Sequence, residues 1–336
     1  MVDGPCTHKM DRWTKNIARD DTVLLIPMQH VESSVDAMTA FEKPTPGNHG
    51  MLAANGAIPG KIRTSFEPER WKTVMSLIYI IVASYCTTFI ESVVHDRMPD
   101  AQVHPPLPDL ILDNVPITPW AGTISEGIVV LLVCMLITIA VLHKHRYIVT
   151  RRFLCMVGTL YLLRDATILV TSLPECGQGI PCIKEEGRTN WIRAKIAFQT
   201  FIKLGMTSTG GRLCGAYIFS GHAMMLTVVC LFITEYSTKK YYSLHVVTWL
   251  LGFVGMLCIL ASHGHYTVDV ILGFYITYSM FVHYHALASS PSLRRHYKWT
   301  KIWFPMLFFL ESNVRGFIPN EYEWPLPLPM RFKQLF

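Results

Sequence analysis

Six apolar runs, each close to the length of a membrane crossing, constrain this chain more than any other feature of its sequence. They fall at about residues 73–94, 121–142, 153–173, 213–234, 244–262 and 268–288. A helix needs roughly 20 mainly apolar residues to cross the hydrocarbon. Within the bilayer only helices and closed barrels bond all of their backbone polar groups. Composition agrees, since 51% of the 336 residues are hydrophobic and the mean hydropathy is positive. A soluble domain could not hide that much nonpolar surface. The expected class is therefore an all-α polytopic membrane protein with six transmembrane helices.

Charge sets the orientation. Lys61, Arg63, Arg70 and Lys72 precede the first run, and Lys144, Arg146, Arg151 and Arg152 lie between the second and third. Lys239 and Lys240 follow the fourth run; Arg294, Arg295, Lys298 and Lys301 follow the sixth. Cytosolic loops carry the excess of Lys and Arg, so this alternation expects both termini in the cytosol. The first outer loop instead holds Asp96, Asp100, Asp109 and Asp113 against Arg97. Segment 174–212 is basic despite its non-cytosolic place, and an interfacial helix over 191–204 would accommodate it, with Trp191, Ile192, Ile196 and Phe201 toward lipid. The net charge of +6 resides in these juxtamembrane clusters, which points to anionic lipid and not to nucleic acid.

The expected organisation has three parts. Residues 1–66 read as a mostly disordered cytosolic tail with a short apolar patch at 22–28, and no cleavable signal precedes the first run. Residues 67–302 form the six-span domain. Residues 303–336 begin with a membrane-surface segment at 303–310 and continue as a Pro-rich cytosolic tail. Nine cysteines show no zinc spacing, and Cys176 with Cys182 leaves a disulfide open. No internal repeat suggests a transporter.

Two short patterns carry chemistry. Ser220, Gly221 and His222 stand at the start of the fourth run; His265, Tyr266, Thr267, Val268 and Asp269 stand at the start of the sixth. In a six-span chain both starts face the same non-cytosolic side. Asp269 lies four residues beyond His265, one helical turn away, so its carboxylate can hold the imidazole tautomer. His265 then suits nucleophilic attack on phosphorus, and His222 suits the protonation of a departing lipid oxygen and deprotonation of an incoming hydroxyl. Gly221 permits close backbone approach, and Ser220 can donate to a phosphoryl oxygen. Arg164, inside the third run, either forks a lipid phosphate or forms a helix-packing ion pair. Asp165 points about 100° away from it and need not be its partner. Glu91 and Glu126 read as interhelical contacts or interfacial residues, and His263 as a donor behind His265 or an interfacial residue. No Gly-rich nucleotide loop, cysteine pair or acidic cluster calls for a cofactor or metal, so neither is expected.

Over roughly residues 70–325 the chain resembles the sphingomyelin synthase family, itself related to the lipid phosphate phosphatases. Four patterns carry the likeness: Pro106, Leu107, Pro108 and Asp109; Arg151 to Leu154 with Gly158 to Leu162 and Arg164; Cys214 and Gly215 through Ser220, Gly221 and His222; and His265 through Val270. The resemblance implies a lipid phosphate phosphatase-like core and a triad of His222, His265 and Asp269, with Arg164, Ser220, Gly221 and Tyr266 around the substrate. It implies transfer of phosphocholine from phosphatidylcholine, or phosphoethanolamine from phosphatidylethanolamine, to ceramide, releasing diacylglycerol. A homodimer is left open.

The chain departs from the family pattern at Ala216 and Gly264, where acids are usual, and at Ala223, where Thr is usual. Headgroup identity stays open as a result. A catalytically weakened lipid-binding or lipid-sensing protein, or a lipid phosphatase or phospholipase C type hydrolase, stands as the alternative. The tail does not resemble a sterile alpha motif domain, and the C-terminus lacks the cysteine cluster of the plasma-membrane form. Golgi is the expected compartment, with plasma membrane and endoplasmic reticulum as alternatives and the site luminal or extracellular.

Overall fold

The computed structural model describes residues 66–99, 103–176, 189–203, 215–296, 302, 304, 306–314 and 316–324. The N-terminal tail with its apolar patch, Cys182, Cys214, Trp303 and the proline-rich tail beyond 324 lie outside the described residues. The helices are α1 (Arg70–Arg97), α2 (Pro119–Leu142), α3 (Arg146–Val170), α4 (Asn190–Ile202) and α5 (Gly221–Tyr236). There follow α6 (Tyr242–Ala261), α7 (Thr267–Ser289), α8 (Pro291–His296) and α9 (Leu307–Leu310). Among the described residues, β pairing is limited to a single bridge between His143 and Tyr322.

Five helices, α1, α2, α3, α6 and α7, are long and apolar enough to cross a membrane. Their outer faces expose large apolar side chains such as Ile78 (50%), Phe253 (60%) and Ile271 (60%). Such faces would be a liability in water and match lipid. The chain is thus a polytopic membrane protein. The run expected at 213–234 becomes the 16-residue helix α5, shorter than its neighbours. It is also the innermost: Met224, Leu226, Val228, Cys230, Phe232 and Ile233 are all fully buried at the centre of the core.

Helix starts follow local chemistry. Gly215 adopts φ +93°, a conformation that breaks helical continuity, and a Cβ there would stand 3.3 Å from the Val94 carbonyl oxygen and the Met98 Cβ. Helix α5 therefore begins only at Gly221, capped by Ser220, whose Oγ accepts the Ala223 N–H at 3.3 Å. Helix α6 ends in a Schellman arrangement. His263 sits in the left-handed region at φ +51° and its N–H reaches the Leu260 carbonyl, while the Gly264 N–H reaches that of Ile259. Histidine takes the place where glycine is commonest, and its ring is secured by the Val115 carbonyl, 2.9 Å from Nε2.

Helices α1 and α3 pack closely because Gly158 admits Tyr79; a Cβ there would lie 2.7 Å from the tyrosine ring. Tyr79 and Thr159 hydroxyls meet at 3.2 Å. Arg164 and Asp165, adjacent in sequence, both turn to α1 but to different partners: Arg164 Nη1 donates to Glu91 at 2.6 Å, and Thr87 donates to Asp165 at 3.0 Å. The helix expected over 191–204 is α4, which leaves Trp191, Ile192, Phe198 and Ile202 exposed. Ile196 and Phe201 are half-buried instead, Phe201 against Tyr85, because α4 lies on α1 and is pinned there by Arg193 on Asp96 at 2.8 Å.

The basic cluster between the second and third runs is not a solvated loop throughout. Helix α3 starts at Arg146, so Arg151 and Arg152 are helical and buried. Arg152 forks the carboxylate of buried Glu311 at 3.0 and 2.7 Å and donates to Tyr236 at 3.1 Å. Arg151 lies 3.3 Å from Glu69, which also pairs with Lys72 at 2.7 Å. The charges are tolerable there because each meets an opposite charge. Glu311 follows α9, whose Leu307 and Leu310 are in the core while Phe309 stays exposed.

Candidate active site

The non-helical stretch before α5 is the foundation of the site. A chain leaving helical geometry near lipid exposes carbonyls that need donors. Helix α3 supplies them. Arg164 donates from Nε to the Phe219 carbonyl and from Nη2 to that of Ala216, both at 2.9 Å, and Thr167 donates to Ile218 at 2.9 Å. Three of the five guanidinium N–H groups of Arg164 are thereby engaged, the third by Glu91. The space beside Gly221 ends at Arg164, whose Nε would lie 3.6 Å from a Cβ at that position.

Helix α7 closes against this stretch. The Ser220 N–H donates to the Asp269 carbonyl at 3.2 Å, and Gly273 lets α7 approach until a Cβ there would touch the Ser220 carbonyl at 3.1 Å and the Ala223 Cβ at 3.3 Å. Tyr217 places its ring edge-on to both His265, 6.0 Å between centroids, and Tyr266, 5.9 Å. His222 occupies the second position of α5, half-buried, two residues beyond the serine tied to Asp269. The starts of α5 and α7, Ser220, Gly221, Arg164 and Asp269 thus share one end of the bundle.

Asp269 is fully buried. Its Oδ2 accepts the Tyr266 N–H at 3.2 Å and lies 3.9 Å from His265 Nδ1. The direct bond from the imidazole to the carboxylate expected from the four-residue spacing is not formed in this geometry. The reason is local: a carboxylate at the third position of a helix is drawn back to the backbone N–H of the cap. Tyr266 is buried, and its hydroxyl donates to the Pro174 carbonyl and accepts the Leu107 N–H, each at 3.2 Å.

Several participants escaped the sequence reading. Asp109 grips Thr267 through its backbone N–H and its hydroxyl, both at 2.7 Å. Burial pushes the Asp109 carboxyl up, but the Thr267 hydrogen bonds outweigh it and hold the group below its usual value. Thr167 and Gly273 carry no motif signal, and Tyr217 lies inside the Cys214 to His222 pattern with no role assigned to it, because their roles depend on which helix lies opposite. Only the pattern Pro106 to Asp109 hinted that this loop mattered. Cys176 is buried beside the end of α6, its Sγ 3.1 Å from the His263 carbonyl oxygen.

These features define a multi-pass, all-helical membrane protein of lipid phosphate phosphatase-like fold. Residues 213–286 match the profile described as PAP2 superfamily C-terminal. The chain is 43% identical over 269 residues to sphingomyelin synthase-related protein 1 of Mus musculus, covering 80% of this chain and 56% of that protein. Identity to the Homo sapiens protein of the same name is 42%, covering 80% and 65%. Phosphatidylcholine:ceramide cholinephosphotransferase 2 of Homo sapiens is 37% identical over 278 residues, 81% of this chain and 76% of that protein. The chain belongs to the sphingomyelin synthase family, a membrane family of lipid metabolism. It spans somewhat more than half, and up to 65%, of the length of the related-protein-1 relatives.

Proposed function

We propose that the chain binds a glycerophospholipid and ceramide at this site and moves a phosphocholine or phosphoethanolamine headgroup from the first to the primary hydroxyl of the second. The observation that carries this reading is the tie between the Ser220 N–H and the Asp269 carbonyl, which joins the start of α5, with His222, to the start of α7, with His265. In this reading His265 attacks phosphorus and His222 protonates the departing diacylglycerol oxygen. The phosphohistidine that results carries the headgroup, and neutral His222 deprotonates the ceramide hydroxyl that displaces it. Asp269 holds the imidazolium once a shift of about 1 Å brings the two groups within hydrogen-bonding distance. Ser220 caps α5 with a lone pair and keeps its hydroxyl proton for a phosphoryl oxygen. Arg164 and Gly221 frame the phosphate, and Tyr266 the lipid beside it.

The same reading takes α5 as the fourth of six crossings, both termini as cytosolic and the site as luminal or extracellular, with Golgi as the compartment and a homodimer as an open assembly. The test is transfer from phosphatidylcholine or phosphatidylethanolamine to fluorescent ceramide by the detergent-solubilised protein. His265→Ala should abolish product, and His222→Ala and Asp269→Asn should lower it by roughly 10²–10⁴-fold. Near-wild-type rates in all three variants would refute the mechanism.

A second reading, a weakened enzyme that chiefly binds or senses lipid, draws more direct support from the comparisons. The most similar relatives reported above are named as related to the synthases and not by an activity. Ala216, Ala223 and Gly264 and the 3.9 Å gap between His265 and Asp269 favour the same view. Tight ceramide binding with turnover unchanged by His265→Ala would establish it. Release of phosphorylated headgroup into water without a phosphosphingolipid would favour a hydrolase instead.

A further inference from the structure

The loop between α1 and α2 reaches the start of α7, next to the histidine that precedes it. Asp109 receives two hydrogen bonds from Thr267, the first residue of α7, and the Leu107 N–H holds the Tyr266 hydroxyl. The loop itself is made rigid by the same carboxylate, whose Oδ1 also accepts the Ile111 N–H at 3.0 Å and the Leu112 N–H at 3.3 Å. Loop and helix are 158 residues apart in sequence at this contact.

A helix N-terminus presents backbone N–H groups with no partner of their own and attracts negative charge. At α7 two carboxylates answer that demand. Asp269, inside the helix, takes the Tyr266 N–H, and Asp109, from outside, takes the Thr267 N–H. We infer that Asp109 is a positioning residue of the site: by capping α7 from another loop it fixes the helix start between His265 and Asp269. With Thr267 secured from outside, the cap demand on Asp269 is limited to a single bond. Its Oδ1 has no hydrogen-bond partner among the described residues, so the carboxylate keeps capacity to meet His265. Without Asp109 the first turn of α7 would fray or turn Asp269 further toward the backbone, and either change misdirects the imidazole.

This inference rests on the headgroup-transfer reading for its kinetic consequence but not for its structural one. The full chain in detergent, with fluorescent ceramide and phosphatidylethanolamine or phosphatidylcholine, supplies the kinetic arm. Asp109→Ala should lower kcat by roughly 10–100-fold, the scale of a misplacement of about 1 Å, while KM for ceramide moves less than about twofold. Asp109→Asn keeps an acceptor for the Thr267 N–H and should recover a substantial part of the loss. Thr267→Val should cost less than Asp109→Ala, and the double variant should be no worse than Asp109→Ala alone. Amide hydrogen exchange over 266–270 supplies the second arm and should quicken in Asp109→Ala while the centre of α7 stays protected. Should the wild type show no transfer, the proposed function fails and the exchange arm alone decides the cap. Unchanged exchange at 266–270, a kcat within twofold of wild type in a transferring enzyme, or additive losses in the double variant would each overturn the inference.

Discussion

Removing the Glu311 carboxylate tests whether the buried ion cluster holds the segment after α7 in place. Glu311 is fully buried and accepts two short bonds from Arg152, with Arg151 Nε at 3.9 Å and Arg294 bonded to its carbonyl. In Glu311→Gln the guanidinium of Arg152 keeps the Tyr236 hydroxyl but loses its countercharge in the interior. Breaking one side of a buried pair costs about 3–5 kcal/mol. For a domain of this size that corresponds to a fall in Tm of roughly 6–20 °C, at about 2–4 °C per kcal/mol. Fluorescence-detected size-exclusion chromatography of heated, detergent-solubilised protein measures it. Arg152→Met combined with Glu311→Leu removes both charges, leaves Arg151 with Glu69, and should restore most of the loss. A Glu311→Gln variant within about 2 °C of wild type, or a double variant worse than either single change, would refute the reasoning.

Other expectations follow from particular contacts. Gly215→Ala forces a Cβ onto a positive φ, at about 1–2 kcal/mol, and against the Val94 carbonyl; Tm and lipid transfer should fall together, as thermal melting and the ceramide assay would register. Gly158→Ala drives a methyl into the Tyr79 ring, and the same melting assay should read a loss of about 1–3 kcal/mol if α1 cannot retreat. Burial raises the Glu311 carboxyl, yet Arg152, Arg151 and Arg294 outweigh it and hold it below the usual 4.5. Its stabilising contribution is complete above pH 4.5 and is lost as pH falls through the lower folded value. Melting temperature against pH should therefore decline on the acid side of 4.5, and the decline should be shallower in Glu311→Gln; identical acid limbs would argue against the linkage.

The sequence alone determined that the chain is helical and membrane-embedded, since apolar length and alternating basic clusters report directly on the bilayer. It also placed the two histidine patterns at helix starts, because Ser-Gly-His and the His to Asp spacing are local signals. Tertiary structure decided everything that depends on what lies opposite. Arg151 and Arg152 read as part of a juxtamembrane cluster directed at anionic lipid, whereas in the fold Glu311, 159 residues away, faces Arg152 in the interior. The fourth run read as starting at 213, yet Gly215 and the carbonyls held by Arg164 and Thr167 delay the helix to Gly221. Asp109 belonged to an acidic outer loop in the sequence and became the cap of α7 in the fold. Local patterns fix which backbone a segment prefers, whereas a buried charge or an uncapped helix end chooses its partner only when distant segments meet.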